Sequence, residues 1–191
     1  MYNSYYALPT IPYNILKHLA LSDEIIWKLL KYNDYDALDK PNLTFSEKME
    51  LVWKSGPQEQ YGIFFTNLIE DAIAESKCLI KIYNYYIEPE SLYVGNVTYA
   101  FDILYGGKMS LVGYNGIPVS RGDLIVNRLL SVLNGTEVDG VGKMTFHQDM
   151  SRYDLSRSVI GNSKTYTGKQ LFISVLVGDT GIETECDSWV A

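Results

Sequence analysis

The chain has 191 residues, a formal net charge of −7 at pH 7 and a hydrophobic fraction of 47%. This length and composition fit one domain whose core needs neither disulfide bonds nor a structural metal, and they exclude the disordered and low-complexity classes. The acidic balance lacks the basic surface of a general nucleic-acid binder. Two cysteines, Cys78 and Cys186, are too few for a disulfide framework and suit a reducing compartment.

The first residues and the hydropathy predict a protein made in a cytoplasm. Residues 1–6 carry neither the basic region nor the apolar region of a secretory signal. No stretch reaches the roughly 18 apolar residues that a membrane helix needs. We therefore expect no membrane partner.

The first third of the chain is predicted to be helical. Residues 10–32 have helical spacing of apolar side chains, broken into two pieces, with Ser22 expected as the N-cap of the second piece. Thr44 and Glu47 fit a capping box that starts a short helix towards Trp53.

Four later segments are predicted to be strands. In the second of them, alternation places Val97, Tyr99, Phe101 and Ile103 on one face. The preceding segment, residues 61–75, fits either a helix or a strand followed by a helical turn. The predicted strands are residues 78–87, 97–105, 140–147 and 171–177.

The clearest helix lies between the second and third strands. Ser120 is its expected N-cap, Asp123 holds the third position of the capping box, and Asn134 with Gly135 ends it. Helices, two strands, a helix and two strands predict an α+β fold. We expect a single domain over residues 1–178, with a four-stranded mixed or antiparallel sheet and amphipathic helices packed on one face.

Three polar or glycine-rich segments are predicted to lie outside these elements. Residues 106–122 are expected to form a loop with an Asn115–Gly116 turn before the helix. Residues 148–169 are expected to form a long polar arm or loop. Residues 179–191, with four acidic side chains, are expected to form an acidic C-terminal tail that is solvated or becomes ordered on a partner.

No motif for chemistry is complete in the sequence. Gly107–Lys108 is followed by Met109, where a phosphate-binding loop needs Ser or Thr. The two histidines, His18 and His147, lie on different predicted elements without a cysteine pair nearby, so they do not make a zinc site. We expect no catalytic residue, no metal and no cofactor.

Tyrosine is unusually frequent, with 16 copies. A tyrosine side chain joins a large apolar ring to a hydrogen-bonding hydroxyl, which suits surfaces that become partly buried against a partner. We therefore predict an oligomer interface that uses aromatic and basic side chains of the arm and the tail. The candidates are Arg152, Tyr153, Arg157, Tyr166 and Trp189.

Two segments resemble small structural proteins at the head–tail neck of tailed bacteriophages, of the tail-terminator or head-closure type. The first consists of residues 27–32, Asp36-Ala37-Leu38 and Pro41-Asn42-Leu43-Thr44. The second consists of residues 99–104, a glycine-containing loop and the predicted helix from Arg121 to Leu133. In that family a strand, a variable loop and an amphipathic helix that begins near an arginine follow one another.

The resemblance implies a non-enzymatic virion protein. Proteins of that kind form rings around the DNA channel, so the expected partners are further copies in a hexameric or dodecameric ring, portal or adaptor proteins and tail proteins. Packaged DNA would pass through the lumen without sequence-specific binding, since an acidic wall lacks cations for the phosphates. The expected location is the virion neck, after synthesis in a bacterial host.

Two other functions remain open from the residues alone. A small hydrolase would use carboxylates in a cleft built from the long polar loops. A cytoplasmic binding module would hold another protein against a tyrosine-rich face.

Overall fold

The computed structural model describes residues 8–68, 77–90, 94–146, 156–160 and 166–177, and it shows an α+β domain. The helices in this part of the chain are α1 (Ile11–Ser22), α2 (Ile25–Lys31), α3 (Phe45–Glu50) and α4 (Arg121–Leu133). The strands are β1 (Ile63–Phe64), β2 (Leu79–Pro89), β3 (Gly95–Gly106), β4 (Leu111–Tyr114), β5 (Ile117–Ser120), β6 (Glu137–Val138), β7 (Gly142–Phe146), β8 (Ser156–Ile160) and β9 (Tyr166–Val177).

Seven of these strands form the main sheet, so the prediction of four strands is wrong in number. The order is β1-β2-β3-β9-β7-β6, and β8 also pairs with β9. The β1–β2 pair is parallel and the other pairs are antiparallel. The four predicted segments are β2, β3, β7 and β9. The additional strands β1, β6 and β8 have two to five residues, too few for a clear period-2 pattern.

The main core lies between one face of the sheet and the helices. The predicted face of β3 is confirmed, because Val97, Tyr99, Phe101 and Ile103 are each fully buried. They belong to one apolar cluster with Leu19 of α1, Leu29 of α2 and Leu129 of α4 among others. Burial of an aliphatic side chain of this size contributes roughly 1.5–3 kcal/mol, so this cluster is the main source of stability.

The predicted break in the first helical region is confirmed, but its cap differs. Glu24 holds the N-cap position of α2. The carboxylate of Asp23, rather than the hydroxyl of Ser22, accepts a hydrogen bond from the backbone N–H of Ile26 at 2.7 Å. The capping box of α3 is confirmed, with reciprocal hydrogen bonds between Thr44 and Glu47.

The predicted loop before α4 is largely a β-hairpin. Strands β4 and β5 pair with each other in a separate two-stranded sheet. The predicted turn is confirmed: Asn115 has φ 51° and Gly116 has φ 80°, as a type I′ turn requires. The expected N-cap is also confirmed, since the hydroxyl of Ser120 accepts a hydrogen bond from the N–H of Asp123 at 3.3 Å.

The predicted arm, residues 148–169, contains regular structure. It includes all of β8, which pairs with residues 167–171 of β9, and it includes the first residues of β9. A polar sequence such as Ser156–Ile160 forms a strand here because β9 supplies a neighbouring edge, which local composition does not show. The predicted tail, residues 179–191, lies outside the described residues. Among the residues that are described, no helix has the length and apolar character needed to span a membrane.

Candidate interaction surface

Arg121 is a fully buried charged residue, with 0% exposure. It begins α4, and its guanidinium group donates only to backbone carbonyl oxygens. Nε binds Met109 at 2.9 Å, Nη1 binds Leu29 at 2.7 Å and Tyr32 at 2.8 Å, and Nη2 binds Asn33 and Asp34 at 3.0 Å each. All five N–H groups of the guanidinium are therefore used.

These hydrogen bonds give Arg121 a structural role. Leu29 and Tyr32 lie at the C-terminal end of α2, where helix carbonyls lack partners within the helix and where a cation is favoured by the dipole. Arg121 thus joins α2, α4 and the 3₁₀ turn Gly107–Met109. Arg121, Gly122 and Asp123 form the first turn of α4, and the arginine side chain is not on the surface.

Two further cations join the ends of α1 and α2 to the rest of the domain. Arg128 of α4 lies 2.6 Å from the carboxylate of Asp23, whose side chain is fully buried. Lys48 of α3 donates to the carbonyl oxygen of Ala20 at 2.9 Å and lies 2.7 Å from the carboxylate of Glu24. Asp23 and Glu24, between α1 and α2, are therefore paired with cations inside the chain.

A polar cluster lies on the sheet face opposite the main core. One oxygen of Asp102 accepts from Gln170 at 2.7 Å, and the other accepts from Tyr83 at 3.1 Å and lies 3.1 Å from Lys81. Burial, together with the charge of Asp102, raises the pKa of Tyr83 to about 12. Because three donors surround Asp102, this carboxylate is held in a structural network and is not placed as a free catalytic base.

Strand β2 extends beyond this cluster, and its residues after Tyr83 are exposed to solvent. Residues 84–90 are all exposed, and the hydrogen-bonding ladder with β3 is irregular between Asn84 and Tyr86. Tyr86 is 46% exposed and Ile87 is 37% exposed. Beside them on the sheet, the ring of Tyr85 lies edge-on to Phe172 of β9 with the ring centroids 4.8 Å apart.

None of the strands that the structure describes pairs with the outer edge of β2 beyond Lys81. Strand β1 pairs with β2 only at Ile80 and Lys81, whereas β3 continues along the inner edge as far as Pro89. Edge strands in natural proteins are usually short or carry charges, because their free N–H and C=O groups can pair with another chain. We call the outer edge of residues 82–89 the β2 edge.

The five predicted interface residues are only partly placed by the structure. Arg152, Tyr153 and Trp189 lie outside the described residues. By backbone register Arg157 is opposite Gln170, and Tyr166 is opposite Gly106. Neither position belongs to the β2 edge, so Arg157 and Tyr166 are not brought together with the exposed tyrosines.

Sequence reasoning missed the β2 edge although part of its signal was visible. The high tyrosine and isoleucine content of residues 78–87 indicated a strand. That an edge is open depends on which strands are neighbours in the sheet, and a local pattern does not contain this information.

The remaining candidates for chemistry have structural surroundings. Cys78 is fully buried, and burial raises the pKa of its thiol to about 12, although the charge of Arg121 opposes this shift. A thiol of this kind is unreactive at neutral pH. His18 is half-buried on α1 with its ring 3.5 Å from the hydroxyl of Ser22. Within the described ranges, no three His, Cys, Asp or Glu side chains are grouped as metal ligands.

Two grooves lie in the described part of the domain, and two charged side chains of the first are bound within the chain. The first, about 350 Å³, lies between α2 and the β4–β5 hairpin and includes Glu24 and Lys28. Glu24 is paired with Lys48, and Lys28 donates to the carbonyl oxygen of Leu38 at 3.0 Å. The second, about 380 Å³, includes Lys31 and Lys54.

The fold and these surfaces define an α+β protein with an internally paired helical side and an exposed aromatic sheet edge. The chain belongs to the YomW family, whose model matches residues 23–175. The family is named after a gene of a Bacillus prophage, SPbeta, which indicates a phage-associated protein. No curated protein and no solved structure matches the chain.

Proposed function

We propose that this protein is a structural component of a tailed-phage virion. In this proposal copies of the chain form a hexameric or dodecameric ring in the neck, between the portal and the tail, in a tail-terminator or head-closure role. Membership of a family named after a prophage gene carries the proposal. The resemblance of residues 27–44 and 99–133 to neck proteins supports the position in the particle.

The exposed surfaces of the domain support a role in assembly. A closed ring needs two different contact surfaces on each copy, because each subunit meets its two neighbours through different sides. The β2 edge supplies one surface with aromatic side chains, of the type that is enriched at protein interfaces. The exposed side chains of the hairpin, Leu111 and Ile117, which are 52% and 59% exposed, supply a second on a different part of the domain.

The net charge of −7 supports a passage for DNA that does not hold it. Binding to the phosphate backbone requires lysine or arginine side chains at the wall, and it weakens as these are replaced by acids. An acidic ring would let the packaged DNA move past the neck.

The experiment is a deletion of the gene in a prophage that carries it, followed by induction. We expect the wild-type chain in purified particles at six or twelve copies for each portal assembly, measured by quantitative mass spectrometry. We expect the deletion to give filled heads and tails that are not joined, seen by electron microscopy. Supplying the gene in trans should restore joined particles.

Other results would contradict the proposal. Particles that lack the chain, together with a deletion mutant that still yields joined and infectious particles, would rule out a neck role. Recovery of the chain from the host extract in a stable complex with a non-virion protein, with none in particles, would favour the cytoplasmic binding module.

A further inference from the structure

We draw no further inference here: the strongest candidate, the β2 edge with the exposed rings of Tyr85 and Tyr86 beside it, carries none because nothing in the structure shows what covers it.

Discussion

The surroundings of Arg121 and the β2 edge differ in whether their backbone groups are bound within the chain or face outward. Around Arg121, five backbone carbonyl oxygens accept hydrogen bonds from one side chain of the same chain. Along the β2 edge, backbone groups and large side chains are turned outward. The difference indicates that the helical side holds the domain together, whereas the outer half of β2 contributes little to the fold and is available for contact.

The largest expected effect follows from removing the guanidinium group. In Arg121→Met the carbonyl oxygens of Met109 and Leu29 lose their donor in a buried site, and those of Tyr32, Asn33 and Asp34 lose one in a partly buried site. We expect the free energy of unfolding to fall by about 3–5 kcal/mol, because a buried polar group that loses its partner keeps the full cost of leaving water. Urea unfolding followed by circular dichroism measures this loss.

Arg121→Lys is the informative control for this prediction. A single ammonium group carries the charge but cannot reach both α2 and the 3₁₀ turn, so we expect most of the loss to remain. A loss below about 1 kcal/mol in Arg121→Met would show that water can replace the guanidinium, and the contrast with the β2 edge would then fail.

The next effect tests how closely α4 is packed. A Cβ at Gly122 would lie 2.5 Å from the ring of Tyr105, whereas a Cβ at Gly107 would have no atom within 4 Å. Tyr105 is buried, so its ring has little room to move away. We expect Gly122→Ala to cost about 1–3 kcal/mol by overpacking, and Gly107→Ala to be nearly neutral. Equal thermal midpoints for the two variants would contradict the close approach of α4 to the sheet.

The sequence predicts the long elements of this fold well. In α4 and β3, periodicity over about a dozen residues and recognisable capping residues point to the same result. Strands β1, β6 and β8 could not be predicted because each is short and exists through pairing with a longer neighbour. The β4–β5 hairpin was missed for a related reason: its turn was recognised, but its strands have only four residues each.

The contact surface is less predictable than the fold. Tyrosine content predicts a surface for partners, and the two candidates that the structure describes, Arg157 and Tyr166, lie on β8 and β9 at backbone positions away from the β2 edge. The burial of Arg121 has no local signal either, because its five acceptors come from residues 12 to 92 positions away in sequence. The exposure of the β2 edge and the burial of Arg121 both depend on how the helices and strands are arranged in space.

A smaller effect should appear at alkaline pH through Cys78. Burial raises the pKa of this thiol to about 12 in the folded chain, whereas it is roughly 8.5 in an unfolded chain. Above pH 8.5 the unfolded state therefore releases a proton that the folded state keeps, so stability decreases as pH rises. Between pH 9 and pH 10 we expect wild type to lose about 1 kcal/mol more than Cys78→Ala. Urea unfolding at the two pH values measures this difference. If the free energy of unfolding falls equally in wild type and in Cys78→Ala, the thiol is not shielded as the structure indicates.

The smallest effect is expected at the β2 edge, and it tests the other half of the comparison. Tyr86→Thr keeps a side chain that favours strands and removes a ring that is 46% exposed. At concentrations low enough to prevent self-association, we expect the free energy of unfolding to change by less than about 0.5 kcal/mol, as at most surface positions. At high concentration the same variant should lose stability relative to wild type, because binding between folded copies adds to apparent stability by mass action. A large loss at low concentration would show instead that Tyr86 is packed within its own chain, and the β2 edge would no longer be a surface kept for partners.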